Sequence, residues 1–505
     1  MSSSSSPRGK KVIVVGAGLG GLSAAVSLHA EGFDVELVEK NERIGGKLNF
    51  KEIDGFGFDL GPSIFTLPQF FESLWERAGK KMEDYVQLEP VTPHWRNFFE
   101  DGLVLDLYEE MDQMQKELEK LQGDPEKHWK QFQQFLAYGR DQYELVDEGY
   151  FAEGLDTLWE MLRYYKLRLI TKMDHSNSMS GAIEKHFDDP YLRMIFEYFI
   201  KYVGSSAKDA PGYMNLMSLI QFDYGLWYVK GGMYNLARGL DKLLADLGVK
   251  VRLDSEVEKI NQSGKTVTGV TLKSGETLPA DYVVCNMEVI PAYKKLLSEP
   301  PKFMKKLEKY KPACSGLVIH LGTDKIYDQL AHHNFFYSKN QNKHFDSVFQ
   351  QGKLPEDPTI YLVAPTRTDP SKAPEGHDNI KILPHIPPID PENPHTHEEY
   401  MALKERVIDK LERMGLTDLR KHTVVEDVLT PVDIEQMYNS NQGSIYGVVS
   451  DWKLNQAFKA PKQSSKYKNL FFTGGSVNPG GGMPMAILCG QKVSDRVVKQ
   501  EAKMA

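Results

Sequence analysis

The segment from Lys11 to Glu39 constrains the fold of this chain more than any other. Lys11–Val15 (KVIVV) is a short β-branched run that reads as a buried parallel strand. Gly16-Ala-Gly18-Leu19-Gly20-Gly21 follows at once and matches G-x-G-x-x-G. Leu22–Ala30 is helix-tolerant, and Phe33–Val38 reads as a second strand that ends at Glu39. The glycines have separate tasks. Gly16 allows a tight turn, Gly18 lets a pyrophosphate approach the backbone, and Gly21 permits close helix–strand packing. The helix amino terminus offers unpaired N–H groups and a positive dipole to the phosphates. Glu39 stands 23 residues after Gly16, where a carboxylate accepts from ribose hydroxyls. A lone G-x-G-x-x-G says little. Strand, glycines, helix, strand and terminal acid in register specify a dinucleotide site.

Composition bounds what surrounds that unit. At roughly 150 residues per domain, 505 residues make about three domain-sized units. Lys plus Arg is 61 against 70 Asp plus Glu, a net charge of −9, which argues against a nucleic-acid partner. The 41% hydrophobic and 26% charged residues are those of an ordinary globular protein. Three scattered cysteines (Cys285, Cys314, Cys489) cannot form a disulfide framework or a zinc cluster, which suits a reducing, cytoplasmic setting. No metal site is expected. The longest stretches without Asp, Glu, Lys or Arg, Val12–Ala30 and Asn469–Gln491, reach bilayer-spanning length, roughly 17–25 residues. Both are rich in glycine and neither reads as an oily helix. A signal peptide is the other reading of the first, after Arg8, Lys10 and Lys11, but an apolar leader has no need of four glycines. The leading serines read as a disordered tip.

Arg43-Ile-Gly45-Gly46-Lys47 follows the ribose acid by a few residues. It could bring a second loop against the same pyrophosphate; a plain turn with an exposed Arg is the alternative. With the fingerprint, this pattern resembles the flavin amine-oxidase-like superfamily, which implies FAD as cofactor. Two distant segments look like parts of the same unit. Gly231-Gly232-Met233 leads into an amphipathic helix, then Val249–Leu253 and Val257 open strands, and Asp281–Cys285 returns. Leu470–Thr473 runs into Gly474-Gly475, and Gly480-Gly481-Gly482-Met483-Pro484 opens a last helix, with Pro484 in its first turn. A helix amino terminus there could stabilise negative charge on a reduced flavin ring. By the resemblance, Gly61, Pro62 and Ser63 approach the flavin and Val257 touches the adenine edge. Cys489 on the last helix reads as a packing residue.

The whole chain resembles the bacterial carotenoid desaturase family, of the phytoene-desaturase type. RIGGK (Arg43–Lys47), FDLGPSIFTLP (Phe58–Pro68), WYVKGGMYNLARGL (Trp227–Leu240) and TPVDIEQMYNSNQGSIYG (Thr430–Gly447) carry that resemblance beside the fingerprint. Desaturases of this type usually end in a segment resembling GA-[ST]-THPGAGIPG. Here it is GGSVNPGGGMPM (Gly474–Met485). With HWRNFFEDG (His94–Gly102), FIKYVGSS (Phe199–Ser206) and AHHNFF (Ala331–Phe336), this ending is similar to the 4,4'-diaponeurosporene oxygenase branch of the family. The implied fold is α/β with α+β inserts: a Rossmann-like FAD-binding domain, a mixed-sheet substrate domain and a helical membrane-facing domain. Expected boundaries are 1–65, 230–297 and 455–505 for the FAD domain, 66–104 and 298–454 for the substrate domain, and 105–229 for the helical one.

The implied activity is oxidation of the terminal methyl of a C30 carotenoid to an aldehyde. It would start with loss of a hydride equivalent from the allylic methyl to the flavin. Water or an oxygen species would capture the cation, a second oxidation would follow, and dioxygen or a quinone would serve as electron acceptor. A carotenoid desaturase and a noncatalytic carotenoid-binding protein are the alternatives. No triad, metal quartet or paired carboxylate suggests catalysis by side chains alone, so oxidising power falls to the flavin. His94 and Arg96 could bind a substrate end or make structural hydrogen bonds. Asp59 lies near the expected flavin face or caps a turn. Tyr224, Trp227 and Tyr228 are candidate polyene walls or core residues. His332 and His333 read as surface or hydrogen-bonding groups. Trp159–Lys172 interleaves four basic residues with aromatic and apolar ones and has no acid after Glu160. This suits an interfacial helix, and implies peripheral binding at the cytoplasmic face of the cell membrane. The sequence is silent on oligomeric state.

Overall fold

The computed structural model describes residues 9–166, 171–455 and 457–504. Its centre is a five-stranded parallel sheet in the order Leu470–Phe472, Tyr282–Cys285, Lys11–Val15, Asp34–Val38, Lys250–Arg252. Three segments far apart in the chain therefore build one sheet. Register is set by β-branched pairs such as Val12 opposite Val35 and Val14 opposite Val284. Both faces are covered, so the strands are apolar almost throughout. The first helix (Leu19–Ala30) packs against the last (Met483–Met504). Gly490 makes that contact possible, because a Cβ there would sit 2.5 Å from the Gly20 carbonyl oxygen and 2.6 Å from the Ala24 nitrogen. Ser23 Oγ seals the pair by donating to the Ile487 carbonyl at 2.6 Å.

A second, eight-stranded mixed sheet runs Thr423–Leu429, Val318–Thr323, Asp378–Ile386, Ile360–Val363, His333–Phe336, Trp95–Phe98, Val104–Leu107, with Ser315–Gly316 paired onto Asp378–Ile386. Its pairings are antiparallel except His333–Phe336 beside Trp95–Phe98. The hairpin closing at Val104–Leu107 carries the sheet past residue 104, where the substrate domain was expected to end. Period-2 alternation gives the long central strand two characters. Ile380, Ile382 and Ile386 pack beneath the helix His397–Arg413, against Leu403, Val407 and Leu411. Lys381, Leu383 and His385 point the other way, into the middle of the molecule.

Residues 111–224 are mainly helical. Two of these helices start with Pro at the first position behind a capping Asp: Asp124 accepts from Glu126 N, and Asp189 from Tyr191 N and Leu192 N. The short helix Leu158–Tyr165 is amphipathic in a revealing way. Met161 and Tyr165 are buried, while Leu158, Trp159 and Tyr164 are exposed, Trp159 to 82%. Arg163 and Lys166 are exposed beside them. The remainder of the basic–aromatic run, Leu167–Ile170 with Arg168, lies outside the described residues, as do the leading serines. Among the described residues, no helix is long and apolar enough to cross a membrane.

Candidate active site

A cleft of about 560 Å³ opens at the carboxyl ends of the parallel strands. Ligands of open α/β sheets bind in that position. Of the residues expected to hold a dinucleotide, Gly16, Gly18, Leu19, Gly20, Glu39, Gly46, Lys47, Gly61, Pro62, Val257, Gly474, Gly475, Gly482 and Met483 line it. At two of these positions the backbone leaves no room for a side chain. A Cβ on Gly20 would lie 2.8 Å from Gly474 N, and one on Gly46 would lie 3.0 Å from Gly18 Cα. The first and third glycine segments therefore meet main chain to main chain. Glu39 is held by its own loop: Oε2 accepts from Ala17 N at 2.7 Å and Oε1 from Asn41 N at 3.0 Å. A carboxylate has about four acceptor positions, so capacity remains for ribose hydroxyls. Lys47 Nζ donates to the Ser444 carbonyl at 2.8 Å and pairs with Glu288 at 3.3 Å.

Three expected residues stand elsewhere. Gly21 sits behind the cleft, where a Cβ would be 2.0 Å from the Gly16 carbonyl oxygen, so its absence of side chain serves helix–strand packing. Arg43 does not line the cleft; its guanidinium hydrogen-bonds Glu42 and lies 5.0 Å from the Phe50 ring centroid. Ser63 faces a second cavity and accepts from Lys381 Nζ at 3.1 Å.

That second cavity, about 200 Å³, adjoins the cleft at Gly61, Pro62, Lys381, Leu383, Tyr446, Gly482 and Met483, which line both. Its walls are largely apolar, with Met161, Met173, Met214, Met217 and Ile220 among them. The aromatic residues expected as walls are not. Tyr228 is buried against His332 with its hydroxyl toward Asp369, the Trp227 indole donates to the Tyr224 carbonyl, and Tyr224 packs on Tyr143. The candidate catalytic groups are also drawn into structure. Arg96 is clamped by both oxygens of Asp106, at 2.9 and 2.7 Å. Asp59 accepts from Met233 N and Tyr234 N, capping the turn into the helix Asn235–Leu247. His94 is buried, its pKa lowered to about 4 by desolvation, and lies outside both cavities. His332 and His333 are buried rather than on the surface, bonded to Thr368 Oγ1 and the Tyr361 hydroxyl. Among the described residues no group of His, Cys, Asp or Glu could hold a metal ion, and all three cysteines are free and buried.

Sequence reasoning missed the apolar walls of the cavity and several polar groups. Asn286 sits between the glycine segments, its amide facing Gly18, Gly20 and Gly474. It follows the last residue of a parallel strand, and that position was the available signal. Lys381 stands where cleft and cavity meet, fully buried, and desolvation brings its pKa down to about 8. Lys459 lines the cavity with Nζ donating to Ser450 Oγ at 2.6 Å, and burial lowers its pKa to about 7. Lys201 and His385 complete the set. A lone lysine inside an apolar strand run, IKIL at Ile380–Leu383, was the legible mark of Lys381.

The cradle fits an FAD: glycine backbone where a pyrophosphate must approach, a helix amino terminus at Gly18, and an acid at the end of the second strand. Comparison with known proteins agrees. The profile of the family described as flavin containing amine oxidoreductase matches residues 19–498. The chain is 56% identical over 490 residues to a 4,4'-diapolycopene oxygenase of a Methylomonas species, covering 97% of this chain and 98% of that one. It is 50% identical over 497 residues to a 4,4'-diaponeurosporene oxygenase of Staphylococcus haemolyticus, covering 98% of each. Among solved structures, a redesigned putrescine oxidase superposes with a TM-score of 0.65 at 15% identity, over 97% of this chain and 99% of that one. An oxidoreductase of Methanosarcina mazei gives 0.63 at 15%, over 96% and 100%. These two likenesses concern the fold alone.

Proposed function

Because this chain belongs to the flavin-containing amine oxidoreductase family, we propose that it is an FAD-dependent carotenoid oxygenase. It oxidises the terminal methyl group of a C30 carotenoid, 4,4'-diapolycopene or 4,4'-diaponeurosporene, to an aldehyde. The observation that carries this reading is the joining of a glycine-lined dinucleotide cleft to an apolar, methionine-rich cavity without a carboxylate among the described residues of its wall. A polyene is apolar along its whole length and needs such a wall. Bound FAD supplies the two-electron oxidising power that the side chains lack. The chain's own groups hold it and shape its surroundings. The glycine loops and Glu39 grip the nucleotide, Lys381 places an amine at the junction with the cavity, and Met483 and Gly482 form the wall common to both spaces. Dioxygen or a quinone takes up the electrons.

The same reading places the protein peripherally on a lipid surface, at the cytoplasmic face of the membrane. The helix Leu158–Tyr165 supports it: Met161 lines the cavity while Leu158, Trp159, Tyr164, Arg163 and Lys166 face outward. Apolar and basic side chains together suit acyl chains and lipid phosphates. A substrate dissolved in the bilayer would then enter beside the helix that touches it.

The test is mass analysis of pigments after incubating enzyme, FAD and anionic liposomes with diaponeurosporene. Gain of a terminal aldehyde supports the proposal. A product with only a new double bond would make the chain a desaturase, and a purified protein without flavin absorbance would make it a carrier. Cosedimentation with the same liposomes should fall when Trp159, Arg163 and Lys166 are replaced together; undiminished cosedimentation refutes the surface assignment.

A further inference from the structure

The second cavity has a polar niche that a hydrocarbon would leave unsatisfied. Lys201, on the short 3-10 turn Phe199–Val203, is buried and lines the cavity. Its Nζ lies 4.1 Å from the Tyr361 ring centroid, 4.2 Å from Phe335, 4.5 Å from Trp95 and 4.9 Å from Tyr202. Ring faces suit an amine, but they accept none of its N–H bonds with full strength, and no carboxylate belongs to the cavity wall among the described residues. His385, which lines the same cavity, is buried, with Nδ1 3.1 Å from the Tyr198 hydroxyl and Nε2 without a partner among the described residues. An unpaired ring nitrogen on a residue of the cavity wall is one that a ligand hydroxyl can satisfy. His385 is two residues from Leu383 on one face of its strand, roughly 7 Å at 3.3 Å per residue, and Leu383 belongs to the wall shared with the dinucleotide cleft. The niche is therefore one pleat repeat from that cleft. The Tyr446 ring, also common to both spaces, has its centroid 6.3 Å from that of His385.

We propose that Lys201 and His385 form a hydroxyl-recognition niche that retains the half-oxidised polyene, the terminal allylic alcohol, between its two oxidations. This rests on the carotenoid oxygenase reading above. A hydroxyl is the group that satisfies the pair in either imidazole tautomer. Its oxygen accepts from Lys201 Nζ, and it either donates to a bare Nε2 or accepts from Nε2–H. Desolvation pulls the pKa of Lys201 well below that of an ordinary lysine and lowers that of His385 to about 3, so burial disfavours the charged form of both. The remaining conversion, R–CH2OH to R–CHO, removes two electrons and two protons; bound FAD would supply that oxidising capacity, with the dioxygen or quinone named above as the final acceptor. Retention makes the aldehyde the released product rather than the alcohol.

The experiment compares holoenzyme binding of a C30 polyene hydrocarbon with that of its terminal alcohol, both presented in the same vesicles and read by quenching of protein fluorescence. It then measures the alcohol-to-aldehyde ratio released from the hydrocarbon by wild type, Lys201→Met and His385→Phe. The wild type should prefer the alcohol by roughly tenfold, the factor that one hydrogen bond to a buried group gives. Each substitution should erase that preference and raise the released alcohol-to-aldehyde ratio by roughly tenfold. Equal binding of the two polyenes to wild type overturns the inference, and this arm needs no substitution to fold. So does a product ratio unmoved in both variants. These failures leave aldehyde formation intact; a wild-type enzyme that yields no oxygenated product overturns the oxygenase reading, and the niche with it.

Discussion

Gly18 and Gly21 sit in one fingerprint, three residues apart, and substituting each by alanine should break different things. Gly18 has φ −73° and ψ 170°, a conformation open to any residue. A Cβ there would meet Asn286 Nδ2 at 2.6 Å, the end of a side chain that can rotate away, and Gly46 Cα only at 4.0 Å. The fold can therefore absorb the methyl, but the backbone surface offered to the pyrophosphate cannot. Overpacking of this kind costs about 1–3 kcal/mol, which is roughly 5- to 150-fold in FAD affinity. Gly21 is different, because its Cβ would lie 2.0 Å from the Gly16 carbonyl oxygen and 3.2 Å from Gly16 C. That neighbour is the main chain of the turn, so relief requires prising the first helix from the first strand. The cost should be at least about 3 kcal/mol, with or without cofactor. FAD titration followed by visible absorbance, together with thermal unfolding of apo and FAD-loaded protein, separates the two. Gly18→Ala should keep the wild-type apo Tm and show a smaller FAD-induced rise, since that rise follows RT ln(1 + [L]/Kd). Gly21→Ala should lower Tm by several degrees in both states. If Gly18→Ala bound FAD like wild type, or lowered the apo Tm as much as Gly21→Ala, the division of labour argued here would be wrong.

Acid should unfold the protein early. Burial holds His94 and His344 neutral down to about pH 4, and His332 and His385 down to about pH 3. The unfolded chain protonates these groups near 6.5, so their contribution is full above that pH and falls as pH drops toward the folded values, by about 1.4 kcal/mol per pH unit per histidine. By pH 5 the four together remove about 8 kcal/mol, comparable with a whole domain's stability. The buried lysines Lys381 and Lys459, lowered to about 8 and about 7, add a slope of the same sign at higher pH; urea unfolding should therefore show stability falling from pH 8 and more steeply below 6.5, and equal stability at pH 8 and 5 counts against neutral burial. The ion pair of Asp156 with Lys462, both buried and joined by Arg496 at 3.0 Å, ties the start of the exposed helix to the cofactor domain. Asp156→Asn should cost about 3–5 kcal/mol by stranding the ammonium, whereas Asp156→Leu with Lys462→Met should recover much of it; equal thermal losses in the two would contradict that account.

What could be read from the chain and what could not divide along a physical line. The cofactor cleft was legible because its requirements are local. A turn, a close backbone approach and an acid at a strand end each need one residue type at one spacing, and those residues do line the cleft. Arg43 and Ser63 belong to loops whose direction the spacing does not determine, and they turned away. The substrate side was illegible for a different reason. Whether a residue faces the cavity depends on which face of its element something else covers. In Asp378–Ile386 the helix His397–Arg413 claims Ile380, Ile382 and Ile386, and alternation alone then delivers Lys381, Leu383 and His385 to the cavity. Tyr224, Trp227 and Tyr228 looked like walls because they are large and aromatic, yet size is what the core wanted from them. Arg96 looked like a substrate anchor until cross-strand register set it opposite Asp106. An aromatic residue in an apolar neighbourhood is thus weak evidence for a binding wall, since the core selects the same side chains. A lysine inside an apolar strand is stronger evidence, because burial imposes a desolvation penalty that packing cannot return. Lys381 and His385 depart from what a core requires, and both face the cavity.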